Sequence, residues 1–133
     1  MKLTQISVFL ENKEGRLNDI CKLLGDQGVN IRALNIAETS DYGILRMVVD
    51  EPQRALEALR ERGIVANLTD IVAVEVEDRP GGLARVLDVL QDSDINVEYM
   101  YGFFEKRTDS AILVFRFDDP DAALALLESK GIR

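Results

Sequence analysis

No histidine occurs anywhere in this chain of 133 residues. That absence removes the commonest general base, the Ser–His and Cys–His nucleophile pairs, and most zinc and copper sites. No catalytic residue, cofactor or metal is expected. The single cysteine, Cys21, excludes an intramolecular disulfide or a thiolate cluster. It falls on an apolar helix face, where a free cysteine behaves as a small hydrophobe. Three prolines and nine glycines leave no room for a low-complexity linker. No apolar run reaches the roughly 18 residues of a membrane span, and Met1–Gln5 lacks the apolar core of a signal peptide. A cytoplasmic protein is expected. Basic residues are outnumbered, 16 to 24, and the net charge of −8 argues against nucleic acid, whose phosphates demand a basic surface. What is present, 47% hydrophobic and 30% charged residues, is the composition of a globular domain.

The dominant feature is an internal repeat. A shift of 66 superposes Gly15 on Gly81, Leu17 on Leu83, Leu24 on Leu90 and Asn30 on Asn96, and carries Ile6, Val8 and Leu10 onto Val72, Val74 and Val76. Further along, a shift of 68 superposes Pro52 on Pro120, Leu59 on Leu127, Gly63 on Gly131 and Ile64 on Ile132. The two extra residues fall in a polar turn around Lys106–Asp109, where an insertion is tolerated. Two domains, 1–67 and 68–133, follow from this duplication.

Each copy reads as strand, helix, strand, strand, helix, strand. Ile6, Val8 and Leu10 alternate with Gln5, Ser7 and Phe9, the period of a half-buried strand. Leu17, Ile20, Cys21 and Leu24, like Leu83, Val86, Leu87 and Leu90, recur at helical spacing and are expected to face a core. Gly28 suits a left-handed helix end. A strand is expected from Asn30 to about Thr39, a turn at Ser40–Gly43 and a strand from Ile44 to Val49. Asp50-Glu51-Pro52 and Asp118-Asp119-Pro120 place an acidic cap before a first-turn proline. The resulting fold is α+β: two ferredoxin-like βαββαβ units, each an antiparallel sheet with two helices on one face. The last strand of the second unit is truncated, because only Ile132 and Arg133 follow Gly131. Either that sheet has three strands, or another segment fills its edge.

Chemistry concentrates in the two turns between first strand and first helix, Glu11–Leu17 and Glu77–Leu83. Bare amides at a helix start suit an anion or carboxylate, and Gly15, Gly81 and Gly82 leave the backbone open to a ligand. The plainer alternative is that Asn12 and Asp78 only cap their helices. Asn30 and Asn96, between a helix end and the next strand, offer amides able to donate and accept. The pattern Asp78-Arg79-Pro80-Gly81-Gly82-Leu83 followed by Asp94-Ile95-Asn96-Val97 resembles the hallmark of ACT domains, regulatory modules mostly of amino-acid metabolism. The first copy is similar through Asn12, Gly15, Leu17, Gly28 and Asn30, with Glu14 where the family often has proline. This resemblance, which spans the chain, implies a stand-alone tandem ACT protein that binds an amino acid without catalysis. Any metabolic enzyme it regulates would be a separate polypeptide. It also implies two sites: Asn12, Gly15, Arg16, Asn30 and Ile31 in one, and Asp78, Arg79, Gly81, Gly82, Asn96 and Val97 in the other.

The run Tyr99-Met100-Tyr101-Gly102-Phe103-Phe104 reads as a buried strand and dimer face more readily than as a pocket wall. A homodimer with sheets aligned at their edges is expected, since open edges need cover. An enzyme reading lacks a histidine nucleophile and a Walker-type phosphate loop, and an RNA-binding reading fails on charge. An assembly module without a ligand is the serious rival.

Overall fold

The computed structural model describes residues 1–39, 41–104 and 109–132. Its elements are β1 (Lys2–Glu11), α1 (Arg16–Asp26), β2 (Ile31–Glu38), β3 (Tyr42–Val49), α2 (Pro52–Glu61), β4 (Ala66–Glu77), α3 (Gly82–Leu90), β5 (Val97–Phe104), β6 (Ser110–Phe117) and α4 (Pro120–Ser129). The fold is α+β, a βαββαβ repeat followed by a βαββα repeat that begins in the same strand, β4, built from antiparallel strands and four helices. The chain forms two compact units, Thr4–Thr69 and Met1–Leu3 together with Asp70–Arg133. The expected polar turn at residues 105–108 and Ser40 lie outside the described residues.

In the unit Thr4–Thr69, β3 lies between β2 and β1, antiparallel to both. The start of β4 closes the other side of β1, where the Phe9 N–H donates to the Val65 carbonyl over 2.9 Å. Ile6 sits opposite Met47 and Val8 opposite Leu45, so these four side chains share one face. Against that face pack Ile20, Leu23 and Leu24 of α1 and Ala55, Leu56 and Leu59 of α2. Burying one such aliphatic side chain contributes roughly 1.5–3 kcal/mol.

The second unit repeats this plan. β6 lies between β5 and β4, antiparallel to both. Val72 and Val74 of β4, Phe115 and Phe117 of β6, Val86 and Leu90 of α3, and Ala123 and Leu127 of α4 form its core. Phe115 and Phe117 stack with ring centroids 5.3 Å apart. Tyr101 is buried on the opposite sheet face, paired with Val114. The edge beyond β4 is not left open. Met1–Leu3 fill it, with the Ala73 N–H donating to the Met1 carbonyl over 2.8 Å. β4 thus closes the first repeat with its opening residues and starts the second with the remainder.

Three local expectations need correction. The buried stripe of α1 is Ile20, Leu23 and Leu24, while Leu17 is exposed and Cys21 only half-buried. Likewise α3 buries Val86 and Leu90 but exposes Leu83 and Leu87. Both helices are rolled about their axes, so one edge of the sequence stripe leaves the core. Of the acidic caps, Asp119 accepts from the Ala122 N–H, but Glu51 turns to Arg54 at 3.1 Å instead. Tyr42 and Gly43 belong to β3 rather than to the preceding turn, because they pair with Glu11 and Leu10.

Candidate functional site

Each copy passes from its first strand to its first helix through a glycine of positive φ. Gly15 (φ 86°) and Gly81 (φ 87°) are the N-caps of α1 and α3, in a region that L side chains rarely adopt. Neither helix start has a side-chain cap, so the capping alternative for Asn12 and Asp78 does not hold. Asn12 instead bonds across to the β2–β3 turn: its amide nitrogen donates to the Glu38 carboxylate at 3.2 Å and its N–H to the Asp41 carbonyl at 2.9 Å. The Asp78 N–H donates to the equivalent carbonyl, Asp109, at 2.8 Å, and its exposed side chain has no partner among the described residues. Gly82 is fixed by space, since a Cβ there would overlap the Glu77 carbonyl oxygen.

Beside each helix start lies a cleft. In the second unit a space of about 500 Å³ opens between the end of β4, the first turn of α3, and Gly131–Ile132. Glu75, Glu77, Arg79 and Arg85 line it. Arg79 pairs with Glu77, and Glu75 accepts from the Ser110 hydroxyl at 2.7 Å. The Arg85 guanidinium has no partner among the described residues. It stands in the first turn of α3, where the helix dipole disfavours a cation unless an anion is near.

The first unit has the matching cleft, about 660 Å³, between the end of β1, α1 and Gly63–Ile64. Its wall carries Arg16, Asp19, Lys22 and Arg62. Asp19 occupies the position of Arg85 and pairs with Arg16 at 3.8 Å. Glu11 at its rim is held below its ordinary range by the Lys13 ammonium, which hydrogen-bonds to it. Equivalent places in the two copies thus carry opposite charge.

The asparagines stand elsewhere. The Asn30 N–H donates to the Asp50 carboxylate at 2.9 Å, and the Asn30 carbonyl accepts from the Asp50 N–H at 3.1 Å. Asn96 repeats this with Asp118, at 2.9 and 3.2 Å. Both lie at the beginning of a strand whose far end adjoins the strand–helix turn. With about 3.3 Å per residue over such a strand, roughly 25 Å separates Asn30 from Asn12 within one unit. The structure therefore does not bring Asn12 and Gly15 together with Asn30 in one unit, nor Asp78 and Gly81 with Asn96. Ile31 and Val97 are partly buried against the cores. Arg16, Arg79, Gly81 and Gly82 do line the clefts. Missed at the sequence level were Arg85 with Asp19, and the pairs Gly63–Ile64 and Gly131–Ile132. Their matched places in the repeat were the available signal.

Among the described residues no cluster of His, Cys, Asp and Glu could hold a metal, and no helix is long and apolar enough to cross a membrane. No curated protein matches the chain. Among solved structures, protein BT0572 from Bacteroides thetaiotaomicron superposes with a TM-score of 0.93 at 38% identity, over 99% of this chain and 90% of that one. Two regulatory subunits of aspartate kinase share the fold. The one from Thermus thermophilus gives a TM-score of 0.67 at 16% identity over 95% and 91% of the two chains. The one from Thermus flavus gives 0.66 at 20% identity over 95% and 90%. The family model of the ACT domain pair matches residues 1–131, and the chain belongs to that family.

Proposed function

We propose that this chain is a non-catalytic sensor that binds an amino acid or a similar small carboxylate and regulates a separate metabolic enzyme. The supporting observation is the pair of clefts at equivalent places in the two copies, each beside an uncapped helix start. A ligand carboxylate is suited to the second cleft, where Arg85 and the first amides of α3 offer positive charge. Asp78, at the same turn, suits an ammonium group. The first cleft, with Asp19 in place of Arg85, is less favourable to an anion. The regulatory subunits that share the fold are consistent with this reading.

Asn30 and Asn96, at the far ends of their strands, do not reach a ligand held in the cleft of their own unit. The rival is an assembly module with no ligand. Thermal-shift measurement against the twenty amino acids separates the two, because a ligand of the folded state raises its apparent stability by about 2.7 kcal/mol at a hundredfold excess over Kd. An unchanged melting temperature with all twenty favours the assembly module.

A further inference from the structure

The two clefts differ in what their strand edges have left to offer. In the first unit the chain leaves α2 through Gly63 and Ile64, whose N–H groups donate to the carbonyls of Arg60 and Leu59. Val65 then closes on β1, its carbonyl accepting the Phe9 N–H over 2.9 Å. The second unit leaves α4 by the same path, with Gly131 donating to Glu128 and Ile132 to Leu127. The repeat sets Glu75 in the place of Phe9. The Asp78 N–H points to Asp109 on the β6 side, so the odd residues of β4 turn their main-chain groups the other way. Ala73 does so, exchanging both of its groups with Met1. Glu75 comes next in that row, and among the described residues no strand lies beside it. The cleft of about 500 Å³ opens there instead, with Glu75, Arg85 and Ile132 in its walls.

We propose that a free α-amino acid docks on this open stretch of β4 as a strand residue, paired with the main chain of Glu75. One oxygen of its carboxylate accepts the Glu75 N–H, as the Val65 carbonyl accepts that of Phe9, and the other faces Arg85. Its ammonium donates to the Glu75 carbonyl and, having three protons, keeps others for the acids of the turn. Met1 displays the same grip one place along the row. There an α-ammonium donates to the Ala73 carbonyl at 2.9 Å, while the carbonyl of the same residue accepts the Ala73 N–H at 2.8 Å.

Two consequences distinguish this mode. The first unit does not bind in this way, because Val65 already holds the Phe9 N–H, so one ligand is bound per chain. Strand geometry also puts the ligand's side chain on the sheet face that carries the Glu75 and Glu77 side chains. Like charges directly across a pair of strands repel, so aspartate and glutamate bind least well. The inference rests on the ligand reading above and specifies where and how the ligand is held.

The test uses the whole chain and each of the twenty amino acids singly. Without ligand, the Glu75 amide should exchange its hydrogen roughly tenfold faster than that of Phe9, or faster still. An amino acid that raises the melting temperature should slow exchange at Glu75 and change Phe9 little. Glu75→Pro removes the outward N–H and leaves the β6 ladder whole, since an edge position tolerates proline on its open side. It should weaken affinity about tenfold or more relative to Glu75→Ala, which keeps the N–H. A cooperative melt shows that each variant is folded, and the exchange measurement stands without them. No stabilisation by any of the twenty would sink the ligand reading and this inference with it. Stabilisation that leaves exchange at Glu75 unchanged, survives Glu75→Pro, is strongest with an acidic amino acid, or titrates to two ligands per chain would overturn this inference alone. Slow exchange at Glu75 in the ligand-free chain would overturn it too, because that place in the row would already be filled.

Discussion

Met1 and Ala73, 72 positions apart, exchange two hydrogen bonds: the Met1 ammonium donates to the Ala73 carbonyl at 2.9 Å, and the Ala73 N–H returns one at 2.8 Å. The expected truncation of the second repeat is thereby made good by the opening residues of the first. Deleting Met1–Leu3 should cost about 1–3 kcal/mol, taking about 0.5–1.5 kcal/mol for each of the two bonds. Urea denaturation measures the loss. Hydrogen exchange locates it: the Ala73 amide should lose protection, while that of Met47 keeps its own.

Lys2 fastens the same segment. Its ammonium bonds to Asp121 at 3.0 Å and lies 3.8 Å from Asp70. The hydrogen bond and charge of Asp121, then the charge of Asp70, raise its pKa above the ordinary 10.5. A raised cationic pKa stabilises the fold fully below the ordinary value, and the contribution disappears as pH climbs through the folded value. Lys2→Met should therefore lower the melting temperature at about pH 9 and matter less near about pH 11.5. An equal difference at both values would contradict this.

Gly82 and Gly25 should respond oppositely to alanine. At Gly82 a Cβ would run into the Glu77 carbonyl, whereas at Gly25, within α1, nothing lies within 4 Å. Gly82→Ala should cost roughly 1–3 kcal/mol, the range for forced overpacking. Gly25→Ala should gain roughly 0.5–1 kcal/mol from lower chain entropy in the unfolded state. Denaturation midpoints of both variants decide.

For any amino acid that binds, Arg85→Ala should weaken affinity by roughly 1–2 kcal/mol, near the lower end for a charged hydrogen bond at an exposed place. The fold itself should be unaffected, since Arg85 has no partner to lose among the described residues. Titration calorimetry giving equal affinities would remove Arg85 from the site. Asn96→Ala, far along β5 from that cleft, should leave the affinity of a ligand held beside Arg85 unchanged.

The repeat was readable because it is local: strand alternation, glycines at the helix starts and the two helix-start prolines, Pro52 and Pro120, each act within a few residues. The limits lay in rotation and distance. Helical spacing identified Leu17, Ile20, Cys21 and Leu24 as one stripe, but could not say that the core takes Leu23 rather than Leu17. The continuity of β4 had a signal, the absence of any glycine or proline from Ala66 to Glu77. The pairing of Met1 with Ala73 had none, since nothing in either segment names the other. The clefts were half visible. Their glycines were evident, but Gly131 and Ile132 reach the site only through the path of α4.

Because Met1–Leu3 complete the second unit, the second half of the duplicated sequence does not by itself specify a finished domain. Synthesis has to run past residue 73 before the first three residues find their place. At roughly 5–20 residues per second that is a wait of about 4–14 s. Residues 1–3 are thus secured only once the chain has grown well past them, and a ribosome stalled in between leaves them unpaired.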